Sequence, residues 1–528
     1  MSWLPRMIYG DNIRKSRAVV FKGYDHNLAS GDGTLWDMEN MSSDLYPLLS
    51  PRSRRYLVRT LSKPYGFYAK DGLYWVDGTG FYKDGVLKGT VTEGRKQMVA
   101  VGSRVIIFPD KVYYDDATGV FANMEATFTG PVTMQDGTYA GESAKANTIY
   151  SASVNFETLF RPGDGLTISG CVKHPENNKT IIVREVSGNY LRFYEDSFVI
   201  GASGDTESAV TVKREVPDLD FVLENENRLW GVKGDRVYAS ALGDPLNFNV
   251  FDGLSTDSFQ ADVLSAGDFT GAVSFRGYPC FFKEENVYKA YGDKPSNFQL
   301  LGAASLGVEK ASGNSFGIAG EVLFYLSRVG VVAYTGGIPQ SIAGAFGTDR
   351  YKHAVGGSDG VKYYVSMEDL TGKRSLFVYD TAVNLWHRED DLSALAFGYH
   401  NGLYCLDTDG RLWLFGDATE IPLEAKKEEL IESFAEFGDF TENDPNKKGV
   451  TKLQIRAELE AGATLQIQMQ FDSSGEWETV KEIFAGVKRS YYIPIIPRRC
   501  DHFRIKLNGK GDWRLYSLVR ESYSGSEY

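Results

Sequence analysis

At 528 residues with a formal net charge of −13, the chain is long enough for several domains and as a whole repels a polyanion. Its 42% hydrophobic and 24% charged residues describe a folded protein, and no run of 18 apolar residues is present to cross a membrane as a helix. Aromatic residues at 13% and 56 glycines favour strands joined by tight turns, so the expectation is a β-rich chain with little helix.

Residues 1–55 have little periodicity and read as an extended N-terminal arm that docks on something; no apolar core of signal-peptide length opens it, so export is not expected. "PRSRR" (51–55) reads as a solvated loop rather than a phosphate footprint. From residue 56 a hairpin rhythm begins: a Gly or Asn turn, an aromatic-rich strand, a turn, and a second strand rich in Val and Tyr. Seven such hairpins have their first core positions at Leu73, Val105, Leu229, Cys280, Val322, Tyr363 and Leu403, at intervals of 32, 124, 51, 42, 41 and 40 residues. Spacings near 40 to 50 match a four-stranded propeller blade. The interval of 124 requires an insertion, which shows as a change of strand pattern over 126–214 ("GDGLTISGCV", "KTIIVREVSG", "NYLRFYEDSFV"). The interval of 32 is short enough that the first two hairpins could share one blade, and strands from the chain ends could complete the last one.

Residues 421–449 form an acidic connector, open to either a helix or a strand reading, and 450–528 alternate apolar and polar residues as a β-sandwich does. The expected fold is therefore all-β. A six- to seven-bladed β-propeller occupies 56–125 and 215–420, interrupted by a small β-barrel or sandwich lobe at 126–214 and followed by a C-terminal β-sandwich.

One corner is written twice. "RVYASALGDPLNFNVF" (236–251) and "NVYKAYGDKPSNFQLL" (286–301) place Pro245, Asn247 and Phe248 opposite Pro295, Asn297 and Phe298. Proline fixes φ and removes a ladder N–H, asparagine bonds to nearby backbone, and phenylalanine is suited to plug the seam to a neighbouring blade. The repeat reads as blade architecture, not as a reactive loop.

Catalytic signatures are scarce. His26, His174, His353, His387, His400 and His502 form no HExxH or HxH pattern, so no metal or other cofactor is expected and each reads as a surface or turn histidine. There is no P-loop, no strand-borne GxGxxG and no GxSxG elbow. "LDTDGRL" (406–412) lacks the remaining ligands of a calcium loop, so Asp409-Gly410 reads as a type I′ hairpin turn. Cys171, Cys280, Cys405 and Cys500 lie far apart and read as reduced thiols packed as small apolar residues.

Several phrases together, "GTLWDMENMSSDLYPLLSPRSRR", "NRLWGVKGDRVYASALGDPLNFNVF", "FKEENVYKAYGDKPSNFQ" and "PRRCDHFRIKLNGKG" with the "SGSEY" tail, resemble the β-propeller hub or nozzle proteins of tailed bacteriophages, the packaged-DNA stabilisation group, and their prophage relatives. The resemblance implies a non-enzymatic virion protein that assembles as a homo-oligomeric ring, such as a hexamer, beside portal and adaptor proteins, with double-stranded DNA passing through. It carries over no catalytic residue. The competing reading is a tail-tip or fibre propeller that binds, or less readily cleaves, host-surface carbohydrate.

Overall fold

The computed structural model describes residues 13–27, 31–138, 143–194, 196–202, 204–416, 418–443 and 446–524; the start of the N-terminal arm and most of the "SGSEY" tail lie outside these. The chain is all-β: a seven-bladed β-propeller, a closed six-stranded barrel and one curled C-terminal sheet. Among the described residues the only helical pieces are short 3-10 turns. Two compact units divide it, Lys63–Gly313 and Met1–Ser62 with Asn314–Tyr528.

The first unit carries four blades. Their strands begin at Pro64–Ala69, Gln97–Val101, Phe221–Asn225 and Gly271–Phe275, and each sheet runs outward in chain order through three further antiparallel strands. The second blade shows why such strands read as nearly continuous apolar runs. Side chains alternate between faces along a strand, and here both faces are seams. Val99, Val101, Ile106 and Phe108 pack toward Leu229 of the third blade, whereas Ala100, Val105, Ile107 and Tyr114 pack toward Tyr74, Val76 and Phe81 of the first. The first two hairpins are thus separate blades. Their 32-residue spacing reflects short strands, Gly80–Lys83 and Val86–Thr90, joined by a two-residue turn and followed by a short link to Gln97–Val101.

Between the second and third blades the chain forms the barrel, from Ala126–Gly137 to Asp205–Arg214, and these two strands pair with each other, so the barrel starts and ends at one place. Its interior is filled by Val132, Met134, Ile149, Leu166, Ile168, Val183, Leu191, Val210 and Val212.

The second unit holds three blades, with inner strands Gly317–Ala319, Tyr351–Ser358 and Ala394–Tyr399. The last one takes its fourth strand from Tyr56–Thr60, which pairs with Arg411–Leu414 across some 350 residues of chain. The turn before that strand is a three-residue loop, Thr408 to Gly410, and not the two-residue type I′ turn expected. Only Gly410 has positive φ (+87°), and a Cβ there would lie 2.1 Å from the Leu61 carbonyl oxygen. The Asp407 carboxylate accepts from the Asp409 and Arg411 backbone N–H groups and from the Trp413 indole, so it is committed to closing the turn.

The C-terminal strands form one seven-stranded sheet where two facing layers were expected. Its spine is the 24-residue strand Lys448–Phe471, flanked on one side by Glu478–Pro494 and on the other by Phe503–Lys510 and then Trp513–Ser524. The register shifts at Leu459/Thr464, beside Gly462 at φ +83°, curl the sheet so that its inner face closes around Leu453, Ile455, Leu465, Ile467, Ile505 and Leu507. The N-terminal arm docks here: Ile13–Ala18 pairs with Trp513–Ser524, Leu35–Glu39 pairs with Glu432–Phe437, and Phe21, Leu35, Met38 and Met41 fill the core. Residues 421–449 therefore contain strands, Lys426–Lys427 and Glu432–Phe437, and the helix reading fails because alternate residues Ser433, Ala435 and Phe437 must face one core.

Candidate functional site

The twice-written corner links the third and fourth strands of two successive blades. In the first copy Asp244 N–H donates to the Ala241 carbonyl (3.1 Å), Ala241 N–H donates to the Asn247 carbonyl (2.8 Å), and buried Pro245 leaves no N–H unpaired within the turn. This closed loop turns the Asn247 side chain, 1% exposed, toward the barrel. Its Nδ2 donates to Asp164 Oδ1 (2.9 Å) and Asp244 Oδ2 (2.6 Å), and its Oδ1 accepts from Gly165 N–H (3.1 Å). Gly165 is required by this approach, since a Cβ would sit 2.3 Å from the Asn249 carbonyl oxygen.

Guanidinium groups complete the joint. Arg214, the last residue of the barrel's closing strand, donates to Asp164 Oδ2 (2.6 Å) and to the Met124 carbonyl (3.0 Å). Arg161 spans Asp164 Oδ1 (3.3 Å) and Asp244 Oδ1 (2.5 Å), and Arg104 of the second blade lies 3.6 Å from Asp244. Two carboxylates sharing a site are the raw material of acid–base chemistry, but here cations neutralise both and Asp164 is 0% exposed. The arrangement holds a fixed geometry. Lys111 secures the chain where it enters and leaves the barrel, through Glu125 (2.8 Å) and the Val216 carbonyl (2.7 Å).

Phe248 is buried with Val101, Phe108, Met124, Leu229 and Leu246, in the seam between the second and third blades. In the second copy, Phe298 packs edge-on to Trp230 and to Phe259 (both 5.2 Å), in the seam between the third and fourth blades. The prolines and asparagines diverge. Pro295 opens a 3-10 turn, and Asn297 is exposed, bonded to the Asp293 and Lys294 backbone N–H groups (both 3.1 Å) and to Asp293 Oδ1 (2.5 Å). The letters repeat, but only the first copy grips a second module.

Sequence reading missed three groups. Arg228 is buried and donates to the carbonyls of Ser240 (2.8 Å), Ser255 (2.7 Å) and Asp257 (2.5 Å), with its guanidinium 5.6 Å from the Phe298 ring; burial lowers its pKa. "PRSRR" is not a solvated loop. Arg52 and Arg55 are buried and pair with Glu389, Asp390 and Glu428, with Arg55 to Glu389 at 2.6 Å and Arg52 to Glu428 at 2.7 Å. In that cluster burial pushes the Glu389 carboxyl up, whereas the two guanidiniums overcome burial and hold Asp390 and Glu428 down. His387 is likewise no surface residue. It is buried in a strand of the sixth blade with neither ring nitrogen partnered among the described residues, and burial together with nearby Lys362 lowers its pKa to about 3.

All four cysteines are free and buried, and burial raises their thiol pKa values. Among the described residues no group of three or more His, Cys, Asp or Glu is placed to hold a metal ion. Among the described residues no helix is long and apolar enough to cross a membrane. A groove of about 540 Å³ crosses the outer face of the curled C-terminal sheet and presents Glu39, Gln466, Glu482, Phe484, Asn508 and Lys510.

No family model matches the chain, and no curated protein matches it. Solved structures similar to it include dihydro-heme d1 dehydrogenase NirN, with a TM-score of 0.29 and 11% identity over 68% of this chain and 82% of that one. An exo-beta-1,3-galactanase from Phanerochaete chrysosporium with galactose has a TM-score of 0.22 and 8% identity over 56% of this chain and 92% of that one. A glycoside hydrolase family 43 arabinoxylan arabinofuranohydrolase from Bacillus subtilis has a TM-score of 0.18 and 10% identity over 87% and 95% of the two chains. At these identities the likeness is one of fold alone.

Proposed function

We propose that this protein is a non-enzymatic structural component of a tailed-phage or prophage virion. It works as a ring-forming tail hub or nozzle in the head-to-tail DNA conduit, made in the host cytoplasm and joined to portal, adaptor or other tail proteins. The observation that carries the reading is the corner at Asn247. Its two carboxylates, buried Asp164 and half-buried Asp244, are paired with three arginines and serve to fix one β module on another. The resemblance of the corner and arm phrases to tail hub proteins supports it, as does a net charge of −13, because a passage for DNA works best when it does not hold phosphates.

A second reading, carbohydrate recognition at a tail tip, draws on the groove of the C-terminal sheet. Its amides, carboxylates and exposed Phe484 suit sugar hydroxyls and a sugar face. Light scattering on the purified chain, followed by a glycan-binding screen, separates the two. A stable assembly of six or more 58.7 kDa subunits without glycan affinity is the expected result. A monomer or trimer that binds host polysaccharide would sink the conduit reading.

A further inference from the structure

We propose that the free edge of the strand Glu478–Pro494 is where a second copy of this chain adds a strand; this rests on the ring-forming reading above and names its contact. The strand is 17 residues long and, among the described residues, pairs on one side only, with Lys448–Phe471. Ile495 N–H donates to the Thr451 carbonyl (2.9 Å), and the register continues as Ile493↔Leu453 and Tyr491↔Ile455. Backbone groups alternate sides along an antiparallel strand, so Ser490 and Tyr492 direct N–H and C=O toward the open side. Pro494, which has no N–H, falls on the same open side, a position an edge strand tolerates.

Proteins ordinarily blunt such an edge with charge, twist or a cover. This one leaves Phe484 (66% exposed), Val487 (80%) and Tyr492 (62%) in solvent. Two of its three cations do not stand guard over the ladder: Lys488 Nζ lies 3.6 Å from the Tyr516 ring centroid and the Arg489 guanidinium 4.7 Å from that of Tyr491, so both tips are drawn onto the chain's own rings.

Charge selects the occupant. Residues 478–499 carry five cations and two carboxylates in a chain whose net charge is −13. A locally positive edge on an acidic molecule attracts the surface of another copy and disfavours meeting its own counterpart edge. That preference is for a head-to-tail contact, the type that builds rings. Exposed Phe484 and Val487 add to a protein contact and give nothing to a phosphodiester backbone.

The test compares the full-length chain with Ser490→Pro, which removes one outward N–H, and with Val487→Glu, a surface change that leaves the ladder to Lys448–Phe471 intact. Mass is read by light scattering across a concentration series, with thermal melting as the check on folding. The expected result is an assembled wild type, and variants that melt as wild type but dissociate at least tenfold more readily, toward 58.7 kDa. Variants that assemble as wild type does would overturn the contact and leave the ring reading standing. A wild type that stays monomeric at every concentration would overturn both. Salt-sensitive binding of short duplex DNA by a monomeric wild type, lost in Lys488→Ala/Arg489→Ala, would reassign the edge to a polyanion.

Discussion

Replacing Asn247 by alanine, beside the same change at Asn297, tests whether a repeated phrase does repeated work. Asn247 is buried and makes three side-chain hydrogen bonds, two of them to carboxylates. A hydrogen bond to a charged partner contributes about 1.5 to 3 kcal/mol, and a neutral one about 1. The partners are not all stranded, because Asp164 keeps Arg214 and Arg161, so the loss should fall at about 3 kcal/mol, below the full sum. Asn297 is exposed and bonds only within its own turn, where water replaces what is lost, so its truncation should stay within about 0.5 kcal/mol. A multi-module chain need not unfold in one step, so a local readout is preferable to a global melt. Hydrogen exchange of the peptide covering 164–169 follows Gly165 N–H, the donor to Asn247 Oδ1. Asn247→Ala should speed that exchange about 100-fold, the equivalent of roughly 3 kcal/mol, and Asn297→Ala should leave it unchanged. Equal effects from the two substitutions, or unchanged exchange in Asn247→Ala, would refute the assignment of the first corner as the joint.

Phe248→Ala should cost about 3 to 5 kcal/mol, because the ring is 2% exposed in a seam shared by two blades; denaturant titration with tryptophan fluorescence measures it. Arg55→Ala should cost about 3 to 5 kcal/mol by leaving buried Glu389 and half-buried Asp390 without their closest cation, read as a lowered denaturant midpoint. His387 sets a pH dependence. Its folded pKa, about 3, lies below the ordinary histidine value, so between those limits the unfolded chain binds one more proton and stability falls as pH falls. From pH 7.5 to 5 the loss should be about 2 kcal/mol, and His387→Leu should remove that part of the slope; an identical pH profile in the variant would show that other groups set it.

The parts of the fold legible in sequence are those set by neighbours along the chain. Hairpins such as Arg104–Phe108 with Val112–Asp115 announce themselves because β-rich strands flank short turns and both strand faces are buried. What stayed hidden depends on partners hundreds of residues away. Nothing in "YLVRT" shows that Tyr56–Thr60 completes the last blade, and nothing in "PRSRR" shows that Glu389, Asp390 and Glu428 wait for its arginines. Strict alternation from 451 onward identifies strands but not layers, since a sheet curled at Gly462 and a pair of facing sheets bury the same alternate residues. Asn247 and Asn297 are indistinguishable as letters. The difference between them is Asp164, contributed by the inserted barrel.

Buried ion pairs add little net stability once desolvation is counted, yet they discriminate strongly between one alignment and its alternatives. An apolar contact between the barrel and its neighbouring blades would tolerate small rotations, because apolar surfaces slide over one another at modest cost. Asp164 does not: a rotation that moved it from Arg214 or Asn247 would leave a carboxylate charged and unpaired in a sealed site. The joint thus converts a soft contact into one orientation. Orientation is what identical subunits must share if a head-to-tail contact is to close, since an error of a few degrees repeated at each interface yields an open helix. A protein built to bind a single partner has less need of such rigidity. The charges paired at Asn247, and the arginines that anchor the arm at Glu389 and Asp390, each hold the chain to a single alignment.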